Sequence, residues 1–98
     1  MAAALGDDDV RRRLADVPGW DIVDGKLHRS FRFPDFSAAF GFMTRVALAA
    51  EKLDHHPDWA NSWGTVTIDI VSHAAKGITD ACFELAATCS RLAAPSEA

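Results

Sequence analysis

Three of the four histidines in this chain of 98 residues fall at two chain reversals. His55 and His56 lie just past a long stretch of helical apolar spacing, and His73 ends an alternating one. Imidazole, with an ordinary pKa of ~6.5, gives and takes protons near neutral pH, so several at element ends suit general acid–base chemistry. Spacing alone leaves the plainer use open, because a histidine at a strand end is usually a surface or hydrogen-bonded residue. His28, alone on the polar side of a hairpin arm, takes that plainer reading. Metal binding is the rival use. Adjacent His55 and His56 are awkward chelators of one ion, the i,i+4 spacing of helical zinc ligands is absent, and no Cys-x-x-Cys occurs, so no metal is expected. Nucleophilic hydrolysis is set aside too, for want of a Gly-x-Ser-x-Gly elbow or an activating setting for either cysteine.

The elements that must carry these histidines follow from periodicity and turn chemistry. Val10, Leu14 and Val17 mark one face of a helix from about Asp8 to Val17, acidic at its start and basic further along, ended by Pro18-Gly19. Among so many aspartates, Arg11, Arg12 and Arg13 read as a solvated helix face. Trp20 to Val23, Asp24-Gly25 and Lys26 to Phe33 form a β-hairpin, with Leu27, Arg29, Phe31 and Phe33 on one side and His28, Ser30 and Arg32 on the other. Pro34 ends the strand and Asp35 caps a helix over Ser37 to Lys52, whose stripe Phe36, Phe40, Met43, Ala47 and Ala50 is expected to be core. A loop over Leu53 to Trp59 leads to a strand over Ser62 to His73, with Val66, Ile68 and Ile70 on one face and Thr65, Thr67 and Asp69 on the other. A break near Asn61 to Gly64 leaves the count at three or four strands. Lys76-Gly77 turns, Thr79 caps, and Asp80 to Ala93 closes the chain as a helix offering Phe83, Leu85, Ala86, Cys89 and Leu92. The expected fold is α+β, in the order α-β-β-α-β-β-α, an antiparallel sheet with three helices on one face.

Composition bounds the rest. Ninety-eight residues fit one domain around one core. Residues 1–6 and 94–98 are expected to be loose. A net charge of −4 with 24% charged and 49% hydrophobic residues is ordinary globular composition and a poor match for nucleic acid. No apolar run reaches the ~18 residues that span a bilayer, and the first residues lack the basic and apolar regions of a signal peptide, so a cytoplasmic protein is expected. Cys82 and Cys89, seven apart in a helix and so roughly 10 Å apart, are beyond disulfide reach and read as small buried hydrophobes.

The run Phe40-Gly41-Phe42-Met43-Thr44-Arg45-Val46-Ala47-Leu48, followed by Ala50-Glu51-Lys52-Leu53-Asp54-His55-His56-Pro57-Asp58-Trp59, closely resembles the pterin-4a-carbinolamine dehydratase family. So do Trp63 through His73 and Gly77-Ile78-Thr79, and the resemblance extends over roughly Val17 to Leu92. It implies a dehydratase that removes water from 4a-hydroxytetrahydropterin, the adduct left by an aromatic amino acid hydroxylase, to give a quinonoid dihydropterin. By the same resemblance His55 and His73 are the proton-transfer pair and His56 holds substrate with a lesser catalytic part. Asp54, His55, His56 and Pro57, with Val71, Ser72, His73 and Ala74, are the implied pterin-binding residues. Pro57 restricts His56 to extended geometry, and Glu51 is weighed as a rim acceptor against a solvated helix-end acid. Trp20, Trp59 and Trp63 are suited to stack on a flat ring, although core or interface packing is the simpler use. No cofactor or metal is implied.

Three departures from the family pattern bear on this. Trp63 stands where tyrosine is usual, Ser72 where threonine is common, and Cys82 where an aspartate would complete a capping box with Thr79; a thiol is expected to accept backbone N–H groups poorly. The resemblance also implies a homodimer or homotetramer, with sheets joined edge to edge and helices bundled. Family members are known also as dimerisation cofactors of a homeodomain transcription factor, so the alternative is a non-catalytic, protein-binding module on the same scaffold.

Overall fold

Turn chemistry lays out the sheet. The computed structural model describes residues 3–98, so the first two residues of the stretch expected to be loose lie outside it. Asp24 (φ 51°) and Gly25 (φ 75°) supply the paired left-handed conformations of a tight hairpin turn between β1 (Asp21–Val23) and β2 (Lys26–Arg32). The break expected near Asn61 to Gly64 does split the third arm, into β3 (Asp58–Ser62) and β4 (Thr65–Ile70). Gly64 is required there: a Cβ would stand 2.5 Å from the Phe33 carbonyl oxygen, while Phe33 N–H donates to the Gly64 carbonyl at 2.7 Å. Part of the expected loop, from Asp58, is therefore strand. The sheet is antiparallel in the order β1-β2-β4-β3.

The first helix is shorter than its periodicity suggested. α1 (Asp7–Arg13) tightens into a 3-10 turn over Leu14–Asp16 before Gly19, at φ 90°, redirects the chain. Arg11 and Arg12 pair with Asp8 and Asp9 on its solvated face, and Arg13 pairs with Asp80 while lying over the Phe83 ring. α2 (Phe36–Leu53) begins where the Asp35 carboxylate accepts from Ala38 N–H at 2.8 Å, and α3 (Asp80–Ala93) closes the chain.

All three helices lie on the side of the sheet that carries Leu27, Phe31, Val66, Ile68 and Ile70. These strand residues are fully buried, and each large apolar side chain so removed from water contributes about 1.5–3 kcal/mol. One hydrophobic cluster runs through α1, β2, α2, β4 and α3, with Phe42 tilted against both Phe31 and Phe33 at about 5 Å. Arg29 shares the apolar side as its alternation required. Its guanidinium lies over Phe31 and donates to Ser90 Oγ and the Glu97 carboxylate. The tail expected to be loose thus carries an ion pair, and Ala98 N–H donates to the Arg32 carbonyl at 2.8 Å.

The core face of α2 differs from the expected one. Ala39, Phe42, Val46 and Ala50 are buried, whereas Phe36, Phe40 and Leu48 are 49%, 56% and 69% exposed. Both stripes have helical spacing, about a quarter turn apart, and share Ala50. Small residues at 39 and 50 let the helix approach the sheet closely, and that choice turns the other aromatic stripe outward. No helix among the described residues is long and apolar enough to cross a membrane.

Candidate active site

His55 is aimed by the way α2 ends. Asp54 adopts a left-handed conformation (φ 52°), Asp54 N–H donates to the Glu51 carbonyl, and His55 N–H reaches back to Ala50. These are the two bonds of a Schellman closure, with aspartate where glycine is commonest. The reversal folds His55 under the helix end, where its Nε2 lies 3.2 Å from Cys82 Sγ on α3. His56 follows on the open side, and its Nε2–H donates to Glu51 Oε1 at 2.6 Å. Because a carboxylate only accepts, that bond fixes the His56 tautomer and leaves Nδ1 as its acceptor. Glu51 is thus the acid that orients His56, a use beyond a solvated helix end.

The second segment enters from the end of β4. The Ser72–Gly77 bridge pinches a short turn in which Lys76 takes φ 57° and Ser72 Oγ accepts from Ala75 N–H at 3.1 Å. His73 projects from this turn into solvent, with Nε2 3.6 Å from Asp58 Oδ2 at the start of β3. That separation is long for a hydrogen bond but close enough for the carboxylate to balance an imidazolium. An open cleft of about 210 Å³ separates the two segments. Asp54, His55 and His56 form one wall; Val71, Ser72, His73 and Ala74 form the other. The two histidines singled out for proton transfer therefore face one space. Of the residues implied to bind substrate, Pro57 alone stays out of the lining; it follows His56 and holds the strand-like approach to β3.

The family model described as pterin 4 alpha carbinolamine dehydratase matches residues 3–92. The chain belongs to that family. A Solibacter usitatus protein provisionally named a pterin-4-alpha-carbinolamine dehydratase is 46% identical over 94 residues, covering 96% of this chain and 99% of the relative. A Rhizorhabdus wittichii protein with the same provisional name is 53% identical over 77 residues, 76% of this chain and 79% of that one. Among solved structures, a Brucella melitensis protein described as a transcriptional coactivator/pterin dehydratase superposes with a TM-score of 0.88 at 40% identity, over 92% of this chain and 98% of that one.

Within this pterin carbinolamine dehydratase scaffold the remaining marked residues divide clearly. Trp20 is core: buried edge-on against Phe31, it donates Nε1–H to Ser90 Oγ at 2.8 Å. Trp59 packs half-buried against the core, and Trp63, 68% exposed at the β3–β4 turn, is remote from the lining. His28 keeps its plain role, its Nδ1–H donating to Asp69 at 2.8 Å across the strands. Cys82 corrects an expectation: its sulfur does accept Thr79 N–H, at 3.4 Å, and completes the capping box of α3. Two contacts of the site went unread in the sequence, Cys82 on His55 and Asp58 beside His73. Nothing local signals either, since 27 residues separate the first pair and the second meets only once β3 and β4 align.

Electrostatics separate His55 from its neighbours. Its pKa is lowered, first by burial and then by His56, against a raising pull from Asp54, with His73 adding a further lowering. The folded chain thus keeps this ring neutral at pH values where the unfolded chain, at about 6.5, has begun to take up a proton. Stability drawn from the neutral ring is complete above about pH 6.5 and is lost as pH falls from there toward the folded value. Urea denaturation on both sides of that window should show a larger acid loss for wild type than for His55→Gln, which cannot titrate. Equal losses in the two proteins would contradict this.

Proposed function

We propose that this chain eliminates water from 4a-hydroxytetrahydropterin, with His55 and His73 exchanging the two protons. The observation that carries the reading is the convergence of His55, His56 and His73, from two separate segments, on one open cleft. Carbon 4a bears a hydroxyl and the N5 amine. The hydroxyl leaves as water once protonated, the N5 lone pair forms the C4a=N5 bond, and N5 gives up its proton, so one proton is donated and one collected. The uncharged ring of His55 is suited to collect it. His73, with Asp58 at hand to balance positive charge, is suited to donate. His56, oriented by Glu51, offers Nδ1 to the polar edge of the ring system, where Ser72 and the backbone of the second wall supply further partners. Such transfers contribute about 10²–10⁴-fold. No step calls for a metal or cofactor. The experiment is decay of the 4a-hydroxytetrahydropterin absorbance with chelator present: acceleration by the protein is expected, and decay at the uncatalysed rate would overturn the proposal. The source of substrate would be an aromatic amino acid hydroxylase. Two buried free thiols accord with a reducing compartment such as the cytoplasm.

Self-association is the second part of the reading, favoured by the outward stripe of α2. Phe36 and Phe40, with ring centroids 5.7 Å apart, and Leu48 form an apolar face on a small domain with free edges at β1 and β3. The same face is what a protein-binding role of the kind named for the Brucella relative would use. Phe40→Glu should lower the assembly state seen by light scattering while leaving the fold intact. An unchanged mass, or a wild type that is already monomeric, would remove α2 as the contact.

A further inference from the structure

Cys82 carries an arrangement that the capping of α3 does not require. Its side chain is fully buried, and its sulfur meets three polar groups at once: His55 Nε2 at 3.2 Å, Thr79 N–H at 3.4 Å and Thr79 Oγ1 at 3.5 Å. Thr79 is itself buried. Capping needs only the Thr79 amide. The contact with His55 ties the N-terminus of α3 to the residue that α2 delivers into the cleft.

We propose that Cys82 is the positioning residue of His55, anchoring Nε2 so that Nδ1 faces the cleft while supporting either neutral tautomer of the ring. A neutral imidazole has one N–H and one lone pair, and a thiol can donate or accept. In the first arrangement His55 Nε2–H donates to Sγ, S–H donates to Thr79 Oγ1, and Nδ1 presents its lone pair to substrate. In the second, S–H donates to Nε2, the Thr79 hydroxyl donates to Sγ, and Nδ1 presents N–H. The sulfur accepts Thr79 N–H in both, and the S–H and hydroxyl rotors turn together. Nδ1 has no protein hydrogen bond among the described residues, which leaves it for the ligand.

The charge around the ring fits this role. Asp54, His56 and His73 face His55 from its own segment and from the β4 turn, with Glu51 engaged by His56 and Asp58 beside His73. From α3 the ring meets Cys82, whose sulfur in turn contacts Thr79, while Asp80 at the start of that helix is paired with Arg13. A carboxylate in place of the thiol could only accept. It would hold the proton on Nε2 and favour the charged ring. Cys89, seven residues on along α3, provides the contrast: burial pushes its thiol up to about 12, and its surroundings are core.

The catalytic consequence rests on His55 being a proton carrier in the proposed dehydration, but the test needs no substrate. Ring ¹⁵N shifts of His55 in the labelled protein are followed against pH for wild type, Cys82→Asp, Cys82→Ser, Cys82→Ala and, as control, Cys89→Ala. Wild type should show intermediate shifts at both nitrogens, the mark of mixed tautomers. Cys82→Asp should fix Nε2–H and raise the titration midpoint by about one unit or more. Cys82→Ser should keep the mixture, Cys82→Ala should change the ratio, and Cys89→Ala should match wild type. A single tautomer or an imidazolium in neutral wild type overturns the proposal without any variant, so failure of Cys82→Asp to fold leaves it testable. A Cys82→Ala spectrum identical to wild type overturns it as well. If the protein lacks dehydratase activity but gives the expected shifts, the functional reading fails and this one stands.

Discussion

Replacing His55 and His73 together with alanine should slow decay of the 4a-hydroxytetrahydropterin absorbance by about 10²–10⁴-fold relative to wild type. The size follows from what is removed. Both proton transfers accompany the same C–O cleavage, so the pair acts as a unit and each single variant should lose nearly as much as the double one. Neither residue makes the fold: His73 is exposed, and the reversal at His55 is made by backbone bonds, so losing its contact with Cys82 should lower stability without changing the structure. Circular dichroism should therefore be unchanged. His28→Ala, at the Asp69 pair outside the cleft, is the matched control and should turn over as wild type does. A double variant with the wild-type rate would end the case for histidine catalysis, whatever the family.

Phe42→Ala should cost about 3–5 kcal/mol in urea denaturation. Phe42 is fully buried at the centre of α2, its ring tilted against Phe31 and Phe33 of the sheet, and the surrounding β-branched and aromatic side chains cannot collapse far into the space it leaves. The neighbouring Phe40→Ala should cost roughly ±0.5 kcal/mol in the dissociated chain, since its ring lies outside the core. A similar loss at the two positions would show that the rotation of α2 described above is wrong. Because α2 delivers His55, the Phe42 variant should also lose activity before it loses secondary structure.

That rotation marks where the sequence stops being legible. Elements bounded by local chemistry were readable: Asp24-Gly25 demanded a hairpin, Asp35 demanded a helix start, and alternation at Val66, Ile68 and Ile70 fixed which face of β4 is dry. Two apolar stripes a quarter turn apart on one helix carry no such sign. The choice between Phe40 and Phe42 is made by how closely Ala39 and Ala50 let α2 approach the sheet, which is a tertiary fact. The start of β3 was lost for a similar reason, since Asp58 is strand only by pairing with Asp69. In the site, the spacing of His55, His56 and His73 was visible, and the resemblance gave the cleft its seven lining residues. The partner of each ring was harder. Glu51 lies five residues from His56 and was within reach of a local reading, whereas Cys82 meets His55 only through the left-handed turn at Asp54.

The three indoles occupy three environments, and the chain has no tyrosine to overlay them. Trp20 is sealed in the core with its N–H spent on Ser90, Trp59 is half covered, and Trp63 stands in water at the tip of a hairpin. Near-ultraviolet emission from the native protein is therefore a superposition of a blue, shielded component and a red component open to aqueous quenchers. The red shift on denaturation then originates chiefly in one fluorophore, Trp20, which contacts Phe31 and so reports the seam between sheet and α3 rather than the cleft.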